Sequence, residues 1–358
     1  MKPVRILVET LVDQELTNAQ MTNGRDIIAR LDPARFHVTT FVVGTPDPDI
    51  SRRPNTRLIR LPNRYQTIKI LREFIFGNHE ILFYVKASPA SRWYVKLKST
   101  RKDGRVTIGT LESQSNLRAE PTITRENIRL WEQTVLRCDY LFSNSNAVKR
   151  SLESEYGITS EVVPTGVDTN FFTPDRHRVA NARPLVLFVG SLRHFKGAHI
   201  VLNAAECFPQ ADFVLVGDGR MADELRARAQ HLTNVRFDGA LSRTAVRDKY
   251  RQSDIFLFPS RWEGSPKVIM EAAACGLPVI ARKDYQPETV VDGETGYLVA
   301  GDDELFSRLE ELLTCPARRW DMGQAARAHI AKFDWDRITR QWEEIFLHLA
   351  ARTNGGGH

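Results

Sequence analysis

Two glutamates eight positions apart, Glu263 and Glu271, flank Gly264, Ser265 and Pro266 in the stretch RWEGSPKVIMEAAACG (261–276). Proline, with its fixed φ and missing N–H, suits the first position of a helix. The sequence therefore predicts a helix opening near Pro266 with Ser265 as its N-cap. Glu263 then lies in the turn before that helix and Glu271 inside it. The free N–H groups of residues 265–268 and the positive end of the helix dipole face whatever fills the turn. Such a turn suits an anion or a hydroxyl-rich ligand, with a carboxylate on each side to accept hydrogen bonds from hydroxyls. A diphosphate flanked by two polyols fits this description.

A second stretch, FVGSLRHFKG (188–197), ends an apolar run at Gly190 and carries Arg193 and Lys196 ahead of a helical pattern. Two cations at such a turn neutralise a diphosphate without a metal ion, although basic loop residues are common and a plain solvated loop is the competing reading. Gly217-Asp218-Gly219 has Ala222 where a full G-x-G-x-x-G needs glycine. That leaves a turn for close nucleotide approach or a purely structural one. Asp47-Pro48-Asp49 and Asp334-Trp335-Asp336 have the spacing that metal-dependent sugar transferases of another fold use, but one sits in a proline-rich loop and the other opens a helix, with Asp334 a natural N-cap. No metal site is expected. Cys138, Cys207, Cys275 and Cys315 form no C-x-x-C pair, which argues against zinc ribbons and disulfide scaffolds.

The elements that position these residues follow from hydrophobic rhythm. Apolar runs at 4–9, 36–43, 81–85, 105–110 and 140–143 read as strands, with helical patterns at 20–31, 66–76, 125–137 and 145–155 between them. The rhythm restarts with strands at 185–190, 212–217, 234–239, 254–259 and 278–281. Alternation of this kind is the signature of parallel sheets with crossover helices. The stretch VPTGVDTNFFTPDRHRVANARP (163–184) has three prolines and little periodicity and reads as a break between domains. Near the end, Ile338, Trp342, Ile345, Phe346 and Leu349 mark one face of a last helix.

A chain of 358 residues is long enough for two such domains, and no apolar run reaches the ~20 residues of a membrane span. Glu9 and Asp13 interrupt the N-terminal apolar run before it reaches signal-peptide length, so a cytoplasmic location is expected. Basic charge is concentrated: residues 45–105 hold 14 lysines and arginines against 5 aspartates and glutamates. This points to an anionic partner such as a membrane surface, a phosphorylated acceptor or nucleic acid, against a solvated basic face with no partner. Within it, Trp93 and Tyr94 interleave with Arg92, Lys96 and Lys98, an interfacial pattern. No nucleic-acid-binding fold accompanies it, and no nucleic-acid partner is expected.

Taken in order, FVGSLRHFKG, LVGDG, NVRFDGAL, YRQSDIFLFPSRWEGSPKVIMEAAACGLPVIA and VVDGETGYLV, with YLFSNSNAVKRSLESEYGITSEVVPTGVDTNFFTP before them, resemble the family 4 retaining glycosyltransferases over nearly the whole chain. The resemblance implies an α/β GT-B fold: two tandem Rossmann-like, doubly wound parallel-sheet domains facing each other across a cleft. Residues 1–166 would form the acceptor-side domain, with the C-terminal helix 335–352 packing back on it, 167–184 a linker, and 185–334 the nucleotide-sugar donor domain. By the same resemblance Glu271 holds the nucleotide ribose and Glu263 the donor sugar's hydroxyls. Backbone groups at Gly190, Ser191, Gly264, Ser265, Lys267 and Val268 cradle sugar and diphosphate, and the base lies near Ala240 and Leu241. Lys196, with Arg193, stabilises the leaving diphosphate.

Three departures touch the phosphate and acceptor sides. Ser191 stands where the family usually has arginine, LTNAQMTNG with Asn18 and Gln20 replaces a Gly-Gly loop, and Glu112 replaces a usual histidine. The implied activity is transfer of a hexose-type sugar from a UDP or GDP sugar to a hydroxyl acceptor, a glycan or lipid-linked precursor, without a cofactor and at the inner membrane face. An epimerase or phosphorylase on the same fold, or a non-catalytic nucleotide-sugar binder, is the alternative.

Overall fold

The computed structural model describes residues 2–14, 19–100, 104–113 and 124–355. They fall into two units, one reaching Thr165 and resuming at Trp335, the other spanning Gly166–Asp334. Asn18 lies outside the described residues.

The first unit is a sheet of seven parallel strands: β1 (Val4–Leu11), β2 (Phe36–Val42), β3 (Thr56–Arg60), β4 (Ile81–Phe83), β5 (Val106–Leu111), β6 (Tyr140–Ser143) and β7 (Glu161–Val162). Their order is β3-β2-β1-β4-β5-β6-β7. The crossovers are α1 (Ala19–Arg30), α2 (Pro48–Arg52), α3 (Gln66–Phe76), α4 (Pro89–Thr100), α5 (Arg125–Thr134) and α6 (Asn146–Tyr156). The α3 and α4 helices share one face, where Phe74 meets Phe41 and Tyr94 edge-on at centroid distances of 6.4 and 5.6 Å. Strands β3 and β7 and helices α2 and α4 are absent from the sequence reading, and two of them show why. Strand β3, TRLIR, pairs with β2 although only Ile59 in it is fully buried, so it lacks the apolar run that reveals a strand. The proline-rich loop at 47–52 holds a short helix: Asp47 caps α2 by accepting from the Asp49 N–H and pairs with Arg25 at 3.3 Å. These contacts occupy Asp47 structurally.

The second unit holds six parallel strands, β8 (Leu185–Val189), β9 (Asp212–Val216), β10 (Val235–Gly239), β11 (Ile255–Phe258), β12 (Val279–Arg282) and β13 (Gly296–Val299), ordered β10-β9-β8-β11-β12-β13. The helices are α7 (Ala198–Cys207), α8 (Ala222–Arg228), α9 (Arg243–Gln252), α10 (Lys267–Ala274), α11 (Asp302–Thr314) and α12 (Pro316–Ile330). β11 is buried at every position, as expected of a parallel strand covered on both faces. Residues 167–184, read from sequence as a linker, belong to this unit: Phe172 is buried in its core, the Val167 N–H donates to Phe333 O, and Arg178 and Asn181 hold the Asp254 carboxylate. Apolar Val167, Phe171 and Phe172 explain why this stretch docks despite its prolines. Cys275 is buried in the same core, and burial pushes its thiol up to about 12.

The last helix, α13 (Trp335–Gly355), belongs to the first unit. Its apolar stripe enters the first core, with Trp342 against Phe83 at 4.7 Å and Phe142 at 4.9 Å, and Glu343 accepts from the Asp32 N–H at 2.7 Å. Among the described residues no helix is long and apolar enough to cross a membrane.

Each sheet reverses its strand order once, at β1/β4 and at β8/β11. Open parallel sheets bind ligands beyond the carboxyl ends of strands at such points. At the first, the buried Glu9 carboxylate accepts from the Lys86 N–H and from the Ser88 and Ser91 hydroxyls at 2.7–2.9 Å, tying β1 to the start of α4. Burial raises its pKa above the ordinary 4.5 despite these donors. A raised carboxyl contributes stability that is present below the unfolded value and lost as pH climbs through the folded one. We therefore expect the Tm of Glu9→Gln, relative to wild type, to climb as pH rises above about 4.5 and to level off once pH passes the raised folded value; a difference flat from acid to neutral pH refutes the buried-charge account.

Candidate functional site

The second switch point brings together most of the residues singled out in the sequence. After β8 the chain runs through Gly190, Ser191 and Arg193 into a short 3-10 turn, His194–Lys196, and then α7. After β11 it runs through Ser260 and Glu263 to α10. Backbone packing holds these loops. A Cβ on Gly217 would collide with Gly190 O, one on Gly219 would sit 2.5 Å from Leu192 O, and one on Gly197 2.7 Å from Pro259 O. Gly217 and Gly197 also have φ of 132° and 76°, conformations that glycine alone adopts without strain. The Gly-Asp-Gly turn is thus a backbone-packing device, with Leu192 N–H on Asp218 O at 2.9 Å and Met221 N–H on Leu192 O at 3.0 Å.

The outcome of that packing is a polar cluster. Lys196 Nζ lies 2.5 Å from Glu263 Oε1, and the Ser260 hydroxyl donates to the same oxygen at 2.6 Å. The Lys196 ammonium also lies 5.3 and 5.6 Å from the Phe195 and Phe258 ring centroids, within cation–π range. The Arg193 guanidinium is exposed, with no carboxylate partner among the described residues.

Helix α10 starts one residue later than predicted. Pro266, with ψ of 113°, is its N-cap, Ser265 makes no cap, and Lys267 is the first helical residue. The extended ψ at Pro266 keeps it outside the helix, so the Gly264-Ser265-Pro266 turn precedes the first helical residue. The amides of Gly264, Ser265 and Val268 donate to no acceptor among the described residues. Half a positive charge and open N–H groups at one helix start suit an anion. Glu271, in the second turn of α10, accepts from the Tyr250 hydroxyl at 3.2 Å. Burial, then Glu271, pushes the Tyr250 phenol well above its ordinary range, so it stays a donor. Ala240 and Leu241 follow β10 at the same sheet edge, Ala240 exposed and Leu241 half-buried.

Sequence reasoning missed Ser260, Tyr250 and Tyr285. Tyr250 reads as an ordinary apolar residue in the α9 pattern. Tyr285, just past β12, is fully buried, and its hydroxyl has no hydrogen-bond partner among the described residues. Burial raises its pKa well above ordinary, with the neighbouring Glu263 and Asp284 charges adding to the shift.

In the first unit, Glu112 follows β5 and lines a small pocket with Asn23, Tyr84, Thr110, Asn144 and Trp342. Asn23 Nδ2 donates to Glu112 Oε1 at 2.8 Å, the Tyr84 hydroxyl donates to the same oxygen, and Asn144 Nδ2 donates to Glu112 O at 3.2 Å. Gln20 is exposed in the first turn of α1 and does not line this pocket; Asn23, three residues on, does. The amide oxygens of Asn23 and Asn144 are buried without partners among the described residues. No group of three or more metal-ligating side chains occurs among the described residues.

Solved structures match nearly the whole chain. One is the sucrose-phosphate synthase from Thermosynechococcus elongatus, with a TM-score of 0.81 and 21% identity, covering 98% of this chain and all of that one. Another is Anabaena HepE solved with UDP, with a TM-score of 0.75 and 18% identity, covering 96% and 100%. The fold is GT-B. Residues 171–329, within the second unit, match the family model described as glycosyl transferases group 1. Among curated relatives, a D-inositol 3-phosphate glycosyltransferase of Nocardiopsis dassonvillei is 27% identical over 308 residues, 78% of this chain and 71% of the relative. The same-named protein of Mycolicibacterium paratuberculosis is 35% identical over 234 residues, and the match spans 58% of this chain and about half, 52%, of that relative.

A buried hydroxyl without a partner gains nothing to offset its desolvation. Tyr285→Phe is expected to leave the Tm unchanged or raise it. A loss of more than ~1 kcal/mol on chemical denaturation would show instead that the hydroxyl has a partner.

Proposed function

We infer that this protein is a retaining glycosyltransferase that moves a hexose-type sugar from a nucleoside-diphosphate donor, a UDP or GDP sugar, to a hydroxyl acceptor. The observation that carries this reading is the Lys196–Glu263–Ser260 cluster beside the open amides of Gly264, Ser265 and Val268 at the β8/β11 switch point. A diphosphate on those amides would draw Lys196 from Glu263, exchanging one carboxylate for a more highly charged partner. The carboxylate so released would accept hydrogen bonds from the donor sugar's hydroxyls, while Glu271 accepts them from the ribose. The base would lie against Ala240 and Leu241.

As the glycosidic bond to phosphate breaks, negative charge grows on the leaving diphosphate. Lys196, the helix start and the exposed Arg193 would stabilise it in place. The acceptor hydroxyl loses its proton to a donor phosphate oxygen and forms the new bond on the face the diphosphate leaves, which keeps the anomeric configuration. Glu263 then orients the sugar without acting as a base. The reaction is expected to survive EDTA, since the protein's own cations supply the charge. In the first unit, the Glu112 carboxylate with Asn23 and Tyr84 is suited to an acceptor hydroxyl. The relatives' name, which specifies a phosphorylated inositol acceptor, supports a polyol in that role. The HepE complex supports UDP as the donor nucleotide.

Calorimetric titration with UDP, GDP and ADP, with and without EDTA, tests the reading. One nucleotide is expected to bind in EDTA, and Glu271→Ala to weaken it roughly 10- to 100-fold, the range for a lost hydrogen bond to a charged group. Lys196→Ala is expected to lower kcat by about 10²–10³, as loss of one transition-state donor does. Nucleotide binding with sugar turnover in the absence of any acceptor would favour an epimerase; no nucleotide binding by folded protein would overturn the proposal.

A further inference from the structure

Of the large apolar side chains that stay exposed, four cluster between residues 65 and 93: Tyr65 at 75%, Ile68 at 64%, Phe76 at 76% and Trp93 at 49%. Tyr65, Ile68, Arg72 and Phe76 recur at three- and four-residue spacing and therefore share one face of α3 and its N-cap. The opposite side of α3 already fills the core through Ile70, Leu71, Phe74 and Ile75. The outer stripe is thus surplus to folding.

The charge around it is of one sign. Arg64, Arg72 and Arg92 are exposed and without partners among the described residues. The single carboxylate in α3 and α4, Glu73, is turned inward and held by Arg57 at 2.8 Å. On α4, beside α3, Arg92, Trp93 and Lys96 are exposed, with the Lys96 ammonium 5.7 Å from the Trp93 ring. A groove between α4 and α5 is lined by Arg92, Trp93, Val95, Lys96, Gln133 and Arg137, with no carboxylate among them.

We propose that the outer faces of α3 and α4, with the α4/α5 groove, form a docking surface for an anionic lipid bilayer. The cations sit at the level of the headgroup phosphates, Ile68 and Phe76 enter the acyl boundary, and Trp93 lies at the interface between them. A nucleic acid would satisfy the cations but leave Ile68 and Phe76 in water, so the apolar stripe decides between the two polyanions. This surface belongs to the first unit and the proposed donor site to the second, and its test does not depend on the transferase reading.

The full chain is sedimented with phosphatidylcholine vesicles containing or lacking phosphatidylglycerol, alongside Arg92→Gln/Lys96→Gln and Ile68→Ser/Phe76→Ser, each checked for a wild-type unfolding transition. Wild type is expected to partition onto the phosphatidylglycerol vesicles only, and less so as salt rises. The charge variant should lose roughly fivefold in partitioning for each cation removed, and the apolar variant should bind more weakly at unchanged salt. Failure to bind phosphatidylglycerol vesicles overturns the proposal, as does equal binding by both variants. Wild-type binding by the apolar variant, with duplex DNA competing the protein off, would mark the face as a nucleic-acid surface and overturn it equally.

Discussion

The second unit depends on how closely two backbones pass at its switch point. The loop after β8 and the turn after β9 cross with Gly217 against the carbonyl of Gly190 and Gly219 against that of Leu192. A side chain at either crossing would force the loops apart. The crossing fixes the chain from Gly190 to Gly197, and Gly197 in turn sits on the Pro259 carbonyl where β11 ends. Three strand ends are thereby locked by main chain alone, and Arg261 N–H closes the frame on Phe195 O at 3.0 Å. Lys196 and Glu263 lie 67 residues apart in sequence and meet across this frame.

The first unit solves the same problem with a side chain. At its switch point the buried Glu9 carboxylate collects one amide and two hydroxyls from the segment after β4. The neighbouring Tyr84 adopts a φ of 66°, unusual for a residue with a bulky side chain, and its hydroxyl reaches Glu112. A sheet edge built on glycine stacking leaves its polar side chains free of that supporting role. One built on a buried acid commits polar groups to its own support, while Glu112, Asn23 and Asn144 line a separate small pocket.

What could be read from the sequence tracks how local the cause is. The buried strands β8, β9 and β11 were legible because parallel strands covered on both faces are unbroken apolar runs. Strand β3 was not, because its pairing with β2 is decided by a neighbour distant in sequence. Lys196 and Glu263 were legible as separate residues, but their contact was not, since nothing local encodes it. Ser265 was read as a cap on its intrinsic preference, and the extended ψ of Pro266 moved the helix start past it. Asn23 and Tyr285 carried no signal at all. One is a polar residue in an amphipathic helix, the other an aromatic after a strand, and only burial distinguishes them from solvated or core residues of the same type.

The Lys196–Glu263 pair also bears on how a site of this kind stays poised. A half-buried ammonium and carboxylate left apart would each pay desolvation without return. Pairing satisfies both, and the Ser260 hydroxyl supports the same carboxylate oxygen. The pair shares only Oε1, so the second carboxylate oxygen is not committed to Lys196. On the proposed reading, an arriving diphosphate competes for the lysine with helix amides already in place. The carboxylate then passes to the sugar's hydroxyls while Ser260 keeps hold of it. Each charge finds a new partner in the step that removes the old one, so neither is left bare in a partly desolvated site.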